Sequence, residues 1–90
     1  MNMARLVPGY AEVDLEDVVE EGLKELAAKS SAVSPSFALK ELDKWLQKRV
    51  VTNGMALGRV LTKLVKEGRL ELECFYEGPS IRIMFIYQRQ

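Results

Sequence analysis

Residues 52–70 read TNGMALGRVLTKLVKEGRL, and their spacing decides the reading of the chain around them. Leu57, Val60, Leu61, Leu64 and Val65 recur at three- and four-residue intervals, as one apolar face of a helix does. Thr52 or Asn53 can cap its start, and the helix is predicted from about Asn53 to Glu67. Gly68 follows as a residue able to take the left-handed conformation that ends a helix. The opposite face carries Met55, Gly58, Arg59, Thr62, Lys63 and Lys66.

Beyond Gly68 the apolar period drops to two. Leu70, Leu72, Cys74 and Tyr76 alternate with Glu71, Glu73 and Phe75. After Glu77-Gly78-Pro79-Ser80, residues Ile81, Ile83, Phe85 and Tyr87 alternate with Arg82, Met84, Ile86 and Gln88. This predicts a β-hairpin. A turn centred on Gly78-Pro79 pairs Leu70 with Tyr87, Leu72 with Phe85, Cys74 with Ile83 and Tyr76 with Ile81. That face is apolar apart from the tyrosine hydroxyls and is expected to face the core, with Cys74 a small buried hydrophobe. The other face pairs Glu71 with Ile86, Glu73 with Met84 and Phe75 with Arg82, and is expected to be largely exposed. Phe75, Met84 and Ile86 make it more apolar than a solvated sheet face should be, so these three are read as an interface. Either the N-terminal arm covers them or a second subunit of a homodimer does.

Two more helices precede this unit. The first is predicted from about Leu15 to Lys29, with Asp14 as N-cap and Leu15, Val18, Val19, Leu23, Leu26 and Ala27 as its apolar stripe. The second is announced by Ser34-Pro35, serine as N-cap and proline in the first helical position. Leu39, Leu42, Trp45 and Leu46 form its buried stripe. Residues 1–13 read as a loose arm with a turn at Val7-Pro8-Gly9-Tyr10, and residues 14–88 as one domain.

Composition removes several function classes. With 90 residues the chain fits one domain with a small core and little room for a buried substrate pocket. There is no histidine and a single cysteine, so His-based catalysis, an internal disulfide and the usual zinc or iron–sulfur clusters are excluded. No apolar run is long enough to span a membrane and no signal-peptide core is visible, so a reduced, cytoplasmic compartment is expected. The acidic residues lie on a solvated helix face rather than in a cleft, and Gly54 and Gly58 fit no phosphate-loop pattern. An enzyme is not expected, nor a catalytic residue, cofactor or metal.

Net charge is zero, but it is polarised. Residues 1–32 hold three basic and seven acidic side chains, and residues 33–90 ten basic and six acidic. Lys40, Lys44, Lys48, Arg49, Arg59, Lys63, Lys66 and Arg69 crowd the segment 38–69.

Three helices followed by a hairpin is the element order of a winged helix-turn-helix domain, an α+β fold that is mainly α. The run 52–70 resembles the recognition helix and the start of the wing in small bacterial and archaeal winged-helix regulators. Leu64, Gly68 and Leu70 stand where that family has Leu-x-x-x-Gly and the first apolar residue of the wing. The resemblance covers about residues 14–88, and only 52–70 is motif-like. Two departures stand out. The segment from Ser34 to Thr52 is longer than a minimal helix–turn, which predicts an extra helical turn or a longer loop between Trp45 and Thr52. The exposed face of the third helix is also poor in side chains that read bases.

The resemblance implies double-stranded DNA binding by a small transcriptional regulator. Asn53, Arg59, Thr62 and Lys63 would face the major groove, and Lys40, Lys44, Lys48, Arg49 and Lys66 would contact phosphates. At the hairpin tip, Ser80 and Arg82 are candidates for backbone contact, although Arg82 opposes Phe75 and a cation–π contact is equally expected. The plainer reading makes the basic middle a solvated face balanced by Glu41, Asp43 and Glu67. The alternative function is a winged-helix protein-docking module, in a complex, without DNA binding.

Overall fold

The computed structural model describes residues 3–7, 9, 11–29 and 36–87, and of residues 36, 37, 75, 77 and 80–83 the backbone alone. Strands β1 (Met3–Leu6) and β2 (Glu12–Asp14) lead into helix α1 (Leu15–Ala27). Strand β3 (Ser36–Ala38) precedes α2 (Leu39–Gln47), and β4 (Val50–Val51) lies between α2 and α3 (Gly54–Lys66). Strands β5 (Leu70–Glu77) and β6 (Ser80–Tyr87) complete an α+β fold. The strands form two antiparallel three-stranded sheets, ordered β2-β1-β4 and β3-β6-β5.

Helix α1 starts where Asp14 accepts a hydrogen bond from the Glu16 amide at 3.0 Å. It packs against both α2 and α3. Leu15, Val19, Leu23, Leu42, Leu46, Val60 and Leu64 form the centre of the core, with Trp45 sealing it between α1 and α2. Leu39, expected in the buried stripe of α2, is instead an exposed large hydrophobe. Helix α3 closes on Gly68, whose φ of 73° is the left-handed cap conformation read from the sequence.

The residues expected to form a loose arm form a hairpin instead. Met3, Ala4 and Arg5 pair with Asp14, Val13 and Glu12, and Gly9, at φ 104°, takes a turn conformation other residues avoid. On its other side β1 pairs Arg5 with Val51 and Leu6 with Val50, and the Val7 amide donates to the Arg49 carbonyl at 2.7 Å. The long segment before α3 therefore carries neither an extra helical turn nor an open loop. It carries β4, which zips onto the N-terminal hairpin, and Ala4 and Val50 enter the core from it.

Helix α2 also begins later than Ser34-Pro35 suggests. Both residues lie outside the described set, and Ser36–Ala38 is a strand, so helix begins only at Leu39. Its start is set by Glu41, whose carboxylate accepts from the Ala38 amide at 3.1 Å. Strand β3 pairs Ser36 with Ile86, Phe37 with Phe85 and Ala38 with Met84. The hairpin is thus the outer part of a three-stranded sheet.

Its register is the one read from the turn: Leu70 opposite Tyr87, Leu72 opposite Phe85, Cys74 opposite Ile83 and Tyr76 opposite Ile81. Its burial is not. Leu70 and Phe85 are buried and Tyr87 is partly so, but Leu72, Cys74 and Tyr76 are exposed. Leu72 and Phe85 lie opposite each other, yet only Phe85, on the central strand β6, is buried; on the outermost strand β5, among the described residues, burial ends at Leu70.

Candidate nucleic-acid interface

Helix α3 buries Val60 and Leu64 and leaves Met55, Gly58, Arg59, Thr62, Lys63 and Lys66 exposed, as its spacing requires. These residues, with Glu67, line a shallow open depression of about 640 Å³. Met55, at 70% exposure, is its most prominent apolar group. Arg59 leans on it, Nη2 donating to the Met55 sulfur at 3.6 Å, and the Thr62 hydroxyl donates to the Gly58 carbonyl at 2.7 Å.

Asn53 is committed elsewhere. Its Oδ1 accepts the Ala56 amide at 2.8 Å, so it is the N-cap of α3, which fixes its side chain and leaves its amide NH₂ and one lone pair of Oδ1 to offer a base. Lys63 is committed too. Its Nζ lies 2.7 Å from Glu16 Oε1 across the α1–α3 contact. The Glu16 carboxylate holds the Lys63 ammonium above the ordinary lysine value, by hydrogen bond first and by charge second.

Glu16 and Glu20, one helical turn apart on α1, both turn toward α3 and β5, and Glu20 pairs with Arg69. Arg69 also meets Glu67 at 3.4 Å. On the other flank Glu25 approaches Arg49 at 3.8 Å. The Arg49 guanidinium stacks 3.9 Å above the Trp45 ring and donates to the Trp45 carbonyl at 3.0 Å. Glu16, Glu20 and Glu25, read from the sequence as a solvated helix face, therefore neutralise part of the basic middle. Arg49, expected on a phosphate, is a strut between α2 and α1.

Among the described residues Lys40, Lys44, Lys48, Arg59 and Lys66 have no carboxylate within ion-pair distance. Lys40 and Lys44 lie on the side of α2 away from Leu42, and Lys48 follows one turn on as its C-cap. The acids expected to balance them make no ion-pair contact with these lysines: Glu41 accepts from the Ala38 amide and Asp43 from the Gln47 amide at 2.9 Å. At the hairpin tip, the side chains of Ser80, Arg82 and Phe75 lie outside the described set. Met84 and Ile86 are partly buried beside β3, so the patch read from the sequence is narrower than expected, and the N-terminal residues belong to the other sheet.

The interleaved α1 acids are the feature sequence reading missed. Their signal was Glu16 and Glu20 at four-residue spacing beside the apolar stripe, but which helix they meet depends on tertiary packing. Among the described residues no helix is long and apolar enough to cross a membrane, and no group of three or more Cys, Asp or Glu is placed to hold a metal ion. No protein-family model, characterised protein or solved structure matches this chain.

Proposed function

We propose that the chain is a winged-helix module that binds double-stranded DNA as a small transcriptional regulator, with α3 against the major groove and α2 against the phosphates. The observation that carries this reading is the sorting of charge. Among the described residues five cations, Lys40, Lys44, Lys48, Arg59 and Lys66, stand along α2 and its C-cap and on the outer face of α3 without carboxylate partners, while three of the α1 acids, Glu16, Glu20 and Glu25, pair with Lys63, Arg69 and Arg49. The element order, the hairpin and the left-handed Gly68 support the winged-helix arrangement. Because Asn53 and Lys63 are engaged, Arg59 is the chief candidate for a base contact, and binding is mostly to the backbone.

Fluorescence anisotropy with a mixed-sequence duplex tests this. The slope of log K against log salt should lie between about −3 and −6, and replacing Lys40, Lys44 and Lys48 by glutamine should flatten it by roughly two to three. No binding by the folded protein at low salt overturns the reading. Met55 favours a second one, a protein-docking face on α3, because a 70% exposed methionine beside bare Gly58 suits an apolar side chain of a partner. Met55→Lys separates the two: it should tighten duplex binding under the first reading and abolish docking under the second.

A further inference from the structure

We propose that the free edge of β5 accepts an extended segment of a partner protein in which basic and apolar residues alternate, adding a fourth strand to the sheet. In the order β3-β6-β5, strand β5 is outermost, and among the described residues none pairs with its outer side. It runs eight residues in unbroken register with β6 and contains no proline, lysine or bulge, the devices that blunt an edge. Its backbone is a ready template for another strand.

The side chains state what that strand must be. On one face Leu72 is 50% and Tyr76 78% exposed, with Cys74 exposed between them. Among the described residues of this face only Leu70 and Phe85 are buried, which leaves apolar surface at Leu72 and Tyr76 for an incoming strand to cover. On the other face Glu71 and Glu73 are exposed, and β5 has no basic residue. A strand lying beside β5 meets both faces at once, apolar residues toward Leu72 and Tyr76 and cations toward the glutamates.

The same acids exclude the other occupants. Two copies of β5 pair antiparallel only about an axis that sets like faces together. Every such register centred from Leu72 to Phe75 places glutamate opposite glutamate: 71 with 73, 73 with itself, 71 with 77, or 73 with 77. Phosphates are repelled equally. This inference stands on the sheet alone, so it holds or fails independently of DNA binding by α3.

The test is an amide-resolved NMR titration of the full chain with an eight-residue synthetic peptide alternating lysine and valine, matched to the length of β5. Shifts should saturate and be confined to Leu70–Glu77 and its neighbours, and a glutamate–valine peptide should give none. Glu71→Lys with Glu73→Lys should reverse the preference, each affinity changing by roughly tenfold. A thermal melt checks that this variant folds, and Glu71→Gln with Glu73→Gln, which should erase the preference, serves if it does not. No shift on β5, equal binding of both peptides, or a dimer in sedimentation that Leu72→Lys dissolves would each overturn the proposal, the last by seating a second copy on the edge.

Discussion

A Cβ built on Gly22 would lie 2.8 Å from Trp45 Cε3 and 3.0 Å from Cζ3, inside contact distance of a buried ring that Arg49 also stacks on. Alanine in a helix interior normally gains about 1 kcal/mol over glycine. Here overpacking works against that gain by about 1–3 kcal/mol, so Gly22→Ala should be net destabilising. Gly58 is the contrast, since nothing lies within 4 Å of its Cβ position. Gly58→Ala should stabilise by roughly 0.5–1 kcal/mol, and urea melts of the two variants should move in opposite directions. Asn53→Ala removes the cap of α3 and should cost about 1 kcal/mol, while Asn53→Asp should not. Lys63 has its pKa raised in the folded state by Glu16. The stabilisation from that pair is therefore fully present below the ordinary lysine value of 10.5 and is lost as pH rises through the higher folded value. Wild type should thus lose its advantage over Glu16→Gln as the melting temperature is titrated through the alkaline range.

At the scale of elements, the N-terminal hairpin is part of the body. Deleting residues 1–11 would strip β4 of its partner and uncover Val50, whose neighbours Ala4 and Leu6 leave the core. A loss of at least about 2 kcal/mol in a chemical melt is expected. What sequence reading could reach follows from element length. Helices α1 and α3, and the β5–β6 register, each have enough repeats for their period to speak, and all three agree with the structure. Strands β2, β3 and β4 have three, three and two residues, too few for a period; β2 pairs locally with β1, while β3 and β4 exist because distant strands pair with them. Ser34-Pro35 is a sound local start signal that tertiary pairing of Ser36–Ala38 with β6 overrides. The exposed face of α3 was legible for the same reason as its buried one. The engagement of Lys63, Arg49 and Arg69 was not, because it is decided by how α1 lies against its neighbours.

The whole molecule measures 40 × 32 × 24 Å, so its longest dimension is close to one turn of duplex, about 34 Å. On the proposed DNA-binding reading, one copy bound along the groove should cover about 10–12 base pairs, and affinity per overlapping site should stop rising once duplexes exceed that length. The internal ion pairs set a ceiling on the charge available for this contact. Glu16→Gln should release Lys63 to the duplex and steepen the salt dependence by about one counterion, an effect that Lys63→Ala in the same background should cancel.

Each sheet is closed by strands that are roughly 45 residues apart, β1 with β4 and β3 with β6. During synthesis the first hairpin emerges early, yet its sheet waits for Val50 and Val51, and β3 waits for the end of β6. Until Leu70 and Phe85 have left the ribosome the core lacks its floor. A nascent chain that stops after α3 therefore carries three amphipathic helices with an open apolar side, the state in which this protein is most exposed to chaperones and proteases.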